Sequence, residues 1–151
     1  MALRLLAARR LTEAQLWSRL ARKDFSPDAI AGTVAWCKAE GYLDDALFAR
    51  LYVEGRRKAV GNARLVGELV QRGVDRDVAT ETVARSDRSE DRRLEGALEA
   101  LFLVRPLTSY ASAARRLERL GFPASAIYRH LRRHASRFAP TVPEDSAAGG
   151  E

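Results

Sequence analysis

Residues Thr12–Val34, TEAQLWSRLARKDFSPDAIAGTV, decide the fold, because their spelling returns at Gly61–Val83, GNARLVGELVQRGVDRDVATETV, and at Ser109–Leu131, SYASAARRLERLGFPASAIYRHL. Each stretch has an anchor: Phe25, Val74 and Phe122, spaced 49 and 48 positions apart. Nine and five positions before the anchors stand Leu16 and Leu20, Leu65 and Leu69, Ala113 and Leu117. Five and nine positions after them stand Ile30 and Val34, Ala79 and Val83, Ile127 and Leu131. A period of this length marks a small supersecondary unit used repeatedly.

The offsets have a physical meaning. Aliphatics four apart lie on one helical face, so each pair before an anchor is the apolar stripe of one helix. The chain then stops at Asp24, Gly73 or Gly121. Glycine takes the left-handed conformation that closes a helix, and Asp tolerates it less well. A new helix starts at Ser26-Pro27, Asp75 or Pro123, where Ser and Asp cap free amides and Pro suits a first turn that has no N–H partner to lose. Phe25 with Ile30, and Leu11 with Leu16, occupy the two positions of a hydrophobic staple, and Thr12 with Gln15 spells a capping box. Thr12, Gly61 and Ser109 are the cap types that open the three units.

A further helix precedes each pair, over Ala2–Arg9, Asp45–Ala59 and Asp91–Val104, and Pro106 closes the last of them. The expectation is an all-α fold of tandem three-helix repeats, about nine helices in an elongated, curved array. Repeat boundaries fall at 1–43, 44–87 and 88–137, with 138–151, rich in Pro, Ser, Ala, Gly and acid, as a disordered tail. Units this short bury too little to stand alone and take stability from stacking on neighbours.

Net charge is +6 over 151 residues. The surplus is uneven: residues 101–137 hold 8 basic side chains and 1 acidic one. Arg115, Arg116, Arg119, Arg129, Arg132 and Arg133, with the smaller group Arg56, Arg57, Lys58 and Arg64, are the candidate partner and nucleic-acid contacts, since clustered arginine suits a polyanion or an acidic protein groove. The competing reading is a solvated face in an arginine-rich chain. Neither a signal peptide pattern nor an apolar run of spanning length occurs, so a cytoplasmic protein is expected, away from membranes.

Catalysis finds little footing. His130 and His134 are four apart on a helix, but Leu131 stands where a zinc-protease helix needs its glutamate, and no further ligand cluster is evident, so both read as surface or partner-facing. Asp44-Asp45 reads as a helix start and Cys37 as a small core residue. Asn62-Ala63-Arg64 after Gly61 lacks a phosphate-loop lysine, and Trp17 and Trp36 read as core. No enzyme activity, cofactor or metal is expected.

At the level of motifs the chain resembles the RecX family of regulatory proteins. The likeness rests on Ala2-Leu3-Arg4-Leu5-Leu6 before the Thr12–Phe25 segment, on Gly41-Tyr42-Leu43-Asp44-Asp45 leading into Phe48-Ala49, Tyr52-Val53 and Arg56, and on Gly61 followed by Leu65, Glu68-Leu69 and Gly73-Val74. It runs over about residues 1–135. Asp24 stands where the family usually has Gly, Asn62-Ala63 replaces a common Pro-containing pair, and the third unit matches loosely. The resemblance implies a monomeric modulator, usually inhibitory, of RecA recombinase. Such a protein lies along the groove of the RecA filament on single-stranded DNA and lowers ATP hydrolysis, strand exchange and the SOS co-protease assistance of repressor cleavage, with direct DNA binding at most weak. Competing readings are a helix-turn-helix DNA binder and a helical adaptor without nucleic acid. The first is disfavoured because two of the three closing helices open on acids, Asp28 and Asp75 to Asp77, which repel phosphate.

Overall fold

The computed structural model describes residues 1–140. Among them are nine α-helices and no strand: α1 (Ala2–Ala8), α2 (Glu13–Ala21), α3 (Pro27–Ala39), α4 (Asp45–Gly55), α5 (Asn62–Gln71), α6 (Arg76–Ala84), α7 (Glu90–Val104), α8 (Tyr110–Arg119) and α9 (Ala124–Arg133). A short 3₁₀ turn, Ala135–Arg137, follows. The expected all-α fold of tandem three-helix repeats is what forms, with each repeat ending in a helix, a tight turn and a second helix.

The turns behave alike because their chemistry is alike. Asp24, Gly73 and Gly121 all have positive φ, 62°, 95° and 88°, the left-handed closure that the template requires. Thr12 and Gln15 form a complete capping box on α2, and Ser26, Asp75 and Ser109 each accept a backbone amide in the first turn of the helix that follows. Pro123 stands at the cap of α9 itself and supplies no side-chain acceptor.

The helices gather into two compact units, one of Met1–Lys58 with Asn62–Ser89, the other of Ala59–Gly61 with the described residues from Glu90 onward. In the first unit Leu11, Leu16, Leu20, Ile30, Val34, Cys37 and Leu43 form one buried cluster, and Leu65, Leu69, Val74, Ala79 and Val83 are buried under α5 and α6. Thr12 joins the two repeats of this unit. Fully buried, its hydroxyl accepts from the Gln15 amide and donates to the Arg72 carbonyl at 2.5 Å. Gly73 lies against it, and a Cβ there would run into the Ala14 side chain, so this turn needs glycine for space as well as for φ. The Glu13 amide donates to Asp45 Oδ1 at 2.9 Å, a second tie between repeats.

In the second unit Leu94, Leu98, Phe102, Leu117, Phe122, Ile127 and Leu131 form the interior. Gly61 is held there by its amide, which donates to the Leu120 carbonyl at 2.8 Å, and any Cβ on it would overlap the Gly121 backbone. It thus stands directly before α5, the cap position expected from the template, and also allows close backbone approach. Arg93, which no sequence pattern singles out, is buried and donates to the Val60 carbonyl at 2.6 Å.

Two expectations are corrected, and one anchor departs from its counterparts. Trp17 and Trp36 are 40% and 47% exposed, because the buried stripes run through Leu16 and Cys37, one position away and therefore about 100° around each helix. Phe25 is likewise exposed, whereas its counterparts Val74 and Phe122 are buried. Phe138, placed in the tail, packs its ring 5.2 Å from Phe102 and 5.4 Å from Tyr110, and the Ala139 amide donates to Thr108. The rest of the expected tail, residues 141–151, lies outside the described residues.

Candidate partner and polyanion interface

Arg56, Arg57, Lys58 and Arg64 lie on and between α4 and α5, and the structure divides them. Helix α5 presents Glu68 toward α4. Arg56 donates to both of its oxygens, Nε to Oε2 at 3.0 Å and Nη2 to Oε1 at 2.9 Å, while Tyr52 donates its hydroxyl to Oε2 at 2.6 Å and Arg64 Nε lies 3.4 Å from Oε1. Arg72 closes the knot, donating to the Glu68 carbonyl and stacking 4.6 Å over the Tyr52 ring. Hydrogen bonds from Arg56 first, against a smaller opposing effect of burial, and then from Tyr52 hold the Glu68 carboxyl down at about 2. Burial and the same carboxylate push the Tyr52 phenol up. Two of the four candidate cations thus serve an internal cluster, and Arg57 and Lys58 are the ones exposed to solvent.

The second unit sorts its arginines differently. Helix α7 carries Asp91, Glu95 and Glu99 at successive four-residue steps, a single face. Arg129 on α9 donates to Asp91 at 2.7 Å and Arg137 grips both oxygens of Glu99 while lying 4.1 Å over Phe102. The other cations stay outward. Arg115, Arg116 and Arg119 on α8, and Arg132 and Arg133 on α9, are exposed, and among the described residues Arg116, Arg132 and Arg133 have no acidic partner. Arg115 Nη2 lies 3.4 Å from the Ser112 hydroxyl. Several sit in the last turns of their helices, where cations face the negative end of the dipole.

His130 is not a surface residue, and His134 is half-buried. His130 is buried, its Nδ1 2.8 Å from Glu95 Oε2 and its Nε2 3.2 Å from Asp91 Oδ1, and His134 Nε2 lies 2.7 Å from Glu95 Oε1. The Asp91 carboxyl is held low, chiefly by the hydrogen bond from His130. At Glu95 burial works upward, and the bonds from the two histidines together outweigh it, leaving the carboxyl below its ordinary value. The signal was available in the sequence: the acids of α7 and the histidines of α9 share a spacing of four.

Asp44 and Asp45 are explained by structure. Asp44 caps α4 by accepting the Leu47 amide, and Asp45, its pKa raised by burial, accepts the Glu13 amide. Cys37 is buried, and that burial pushes its thiol up, away from nucleophilic use. Among the described residues no helix is long and apolar enough to cross a membrane.

Fold and surface together define a tandem three-helix repeat protein with an outward arginine face on its closing helices. Family models described as the RecX first and second three-helix domains match residues 1–37 and 44–83. The Deinococcus radiodurans regulatory protein RecX is 33% identical over 149 residues, covering 95% of this chain and 71% of that protein. Its Thermus thermophilus counterpart is 37% identical over 122 residues, 81% of each. The Mycobacterium avium relative is 39% identical over 92 residues, and the chain spans about half of its length, 53%. This chain belongs to the RecX family of regulatory proteins. A crystal structure of RecX from Lactobacillus salivarius superposes with a TM-score of 0.78 at 18% identity, covering 89% of this chain and 92% of that one, and shows the same fold.

Proposed function

We propose that this protein is a negative regulator of RecA recombinase. It binds the RecA filament on single-stranded DNA along its groove, as a monomer in the cytoplasm, and lowers ATP hydrolysis, strand exchange and the co-protease activity of the SOS response. Membership of a family of regulatory proteins, through the two matched three-helix domains, carries the reading. The outward arginines of α8 and α9 support it by offering an electrostatic footing for acidic protein surface or exposed phosphate; Arg57 and Lys58 are exposed cations of the first unit taken by itself. No covalent chemistry is required. A binder that prefers one state of the filament shifts the filament toward it by the difference in affinity alone.

The deciding experiment is a titration into preformed RecA filaments on single-stranded DNA, with ATP hydrolysis as the readout. Hydrolysis falls at amounts up to equality with RecA. A flat rate over that range sinks the proposal. Running the titration at several salt concentrations separates phosphate contact, which weakens steeply with salt, from protein contact through apolar surface.

A further inference from the structure

The charges between α7 and α9 do not balance. Of the three acids on the α7 face, the outer two have guanidinium partners, Arg129 on Asp91 and Arg137 on Glu99. Glu95, half-buried between them, meets only imidazole nitrogens. A neutral imidazole has a single N–H, so His130 cannot donate to Glu95 and to Asp91 at once. Among the described residues Glu95 therefore has no guanidinium or ammonium partner, and a bound cation would supply one.

The geometry points to a divalent transition-metal site formed by Glu95, Glu99 and His134, with His130 beside it as a further donor. One ligand atom from each of the three lies within 4.8 Å of the others. Metal bonds of about 2.0–2.2 Å put tetrahedral donors roughly 3.4 Å apart, so small side-chain rotations close the set. Mixed imidazole and carboxylate donors select a zinc-like ion over magnesium or calcium, which prefer oxygen alone. Glu95 and Glu99 lie on α7, His130 on α9 and His134 at its C-cap, so an ion would cross-link α7 to the C-terminal end of α9, the helix that carries Arg132 and Arg133. Arg137 is the competing cation. It holds Glu99 in the metal-free chain, and a metal displaces at least part of that grip. A ligating imidazole must be neutral, so protons compete with the metal for the site.

The test uses the untagged full-length chain, stripped with chelator and titrated with Zn²⁺ against a chromophoric competitor, with Co²⁺ absorption as a second probe. One equivalent binds, weaker at about pH 5.5 than at about pH 7.5. His134→Gln and Glu99→Gln each weaken binding roughly tenfold or more, whereas Arg137→Gln tightens it by freeing Glu99. Circular dichroism establishes that each variant is folded, and Glu99→Gln is informative even if the more buried Glu95→Gln unfolds, because Glu99 is exposed. Absence of a stoichiometric site, or Zn²⁺ binding unchanged in both His134→Gln and Glu99→Gln, overturns the assignment. Filament inhibition is not part of the readout, so failure here leaves the regulatory proposal standing, and the reverse.

Discussion

The α4–α5 corner and the α8–α9 face have similar compositions and opposite fates. Both are arginine clusters on short helices. At the first, Glu68 stands within reach, and Arg56, Tyr52 and Arg64 converge on it. At the second, the acids of α7 satisfy Arg129 and Arg137 and leave Arg116, Arg132 and Arg133 facing solvent without an acidic partner among the described residues. An arginine run therefore does not define a binding surface until the acids are placed. The first cluster is paired within its unit, and the second is exposed to solvent.

The largest effect is expected from exchanging these fates. Arg56→Ala leaves the largely buried Glu68 without its main partner and destabilises the protein by about 2–4 kcal/mol, read as a lower urea midpoint. The combined variant Arg115→Ala, Arg116→Ala, Arg132→Ala, Arg133→Ala changes stability by less than about 1 kcal/mol. It weakens filament binding by at least about tenfold, and if these residues meet phosphate the salt slope falls by roughly 0.7 per lost contact. Intact binding by the quadruple variant, or intact stability of Arg56→Ala, would break the comparison.

Acid titration sharpens it. Glu68 has a folded pKa of about 2, below the ordinary 4.5, so its contribution is fully present above that ordinary value and is lost as pH falls from about 4.5 toward 2. Asp91, Glu95 and Glu99 are also lowered and act in the same direction. Glu68→Gln should flatten the acid limb of stability against pH as followed by helicity, and an unchanged limb would contradict the role given to the knot. The smallest effect is expected at Asp91→Asn. That side chain is 59% exposed where it meets Arg129, so the cost stays within about 1 kcal/mol in chemical denaturation. A larger loss would mean that Asp91 acts mainly through buried His130.

Much of the fold was legible. The Thr12–Gln15 box, the Ser26-Pro27 start and the left-handed turns at Asp24, Gly73 and Gly121 all follow from residues a few positions apart. The candidate site was legible only as an inventory of cations. Nothing local told Arg56 from Arg57, and His130 looked as exposed as any histidine on a polar helix. Trp17 and Trp36 show the same limit from the apolar side, since size suggested burial and the stripe beside them took the interior.

Sequence by itself determined the helices, their caps, the turns between them and the threefold template, because those depend on contacts within about four residues along the chain. Tertiary structure alone decided which charges pair. Arg56 meets Glu68 across 12 positions, and Arg129 meets Asp91 across 38. At such separations the backbone path, not the local spelling, brings acid to base. Only that path determined which arginines remained free to face a partner.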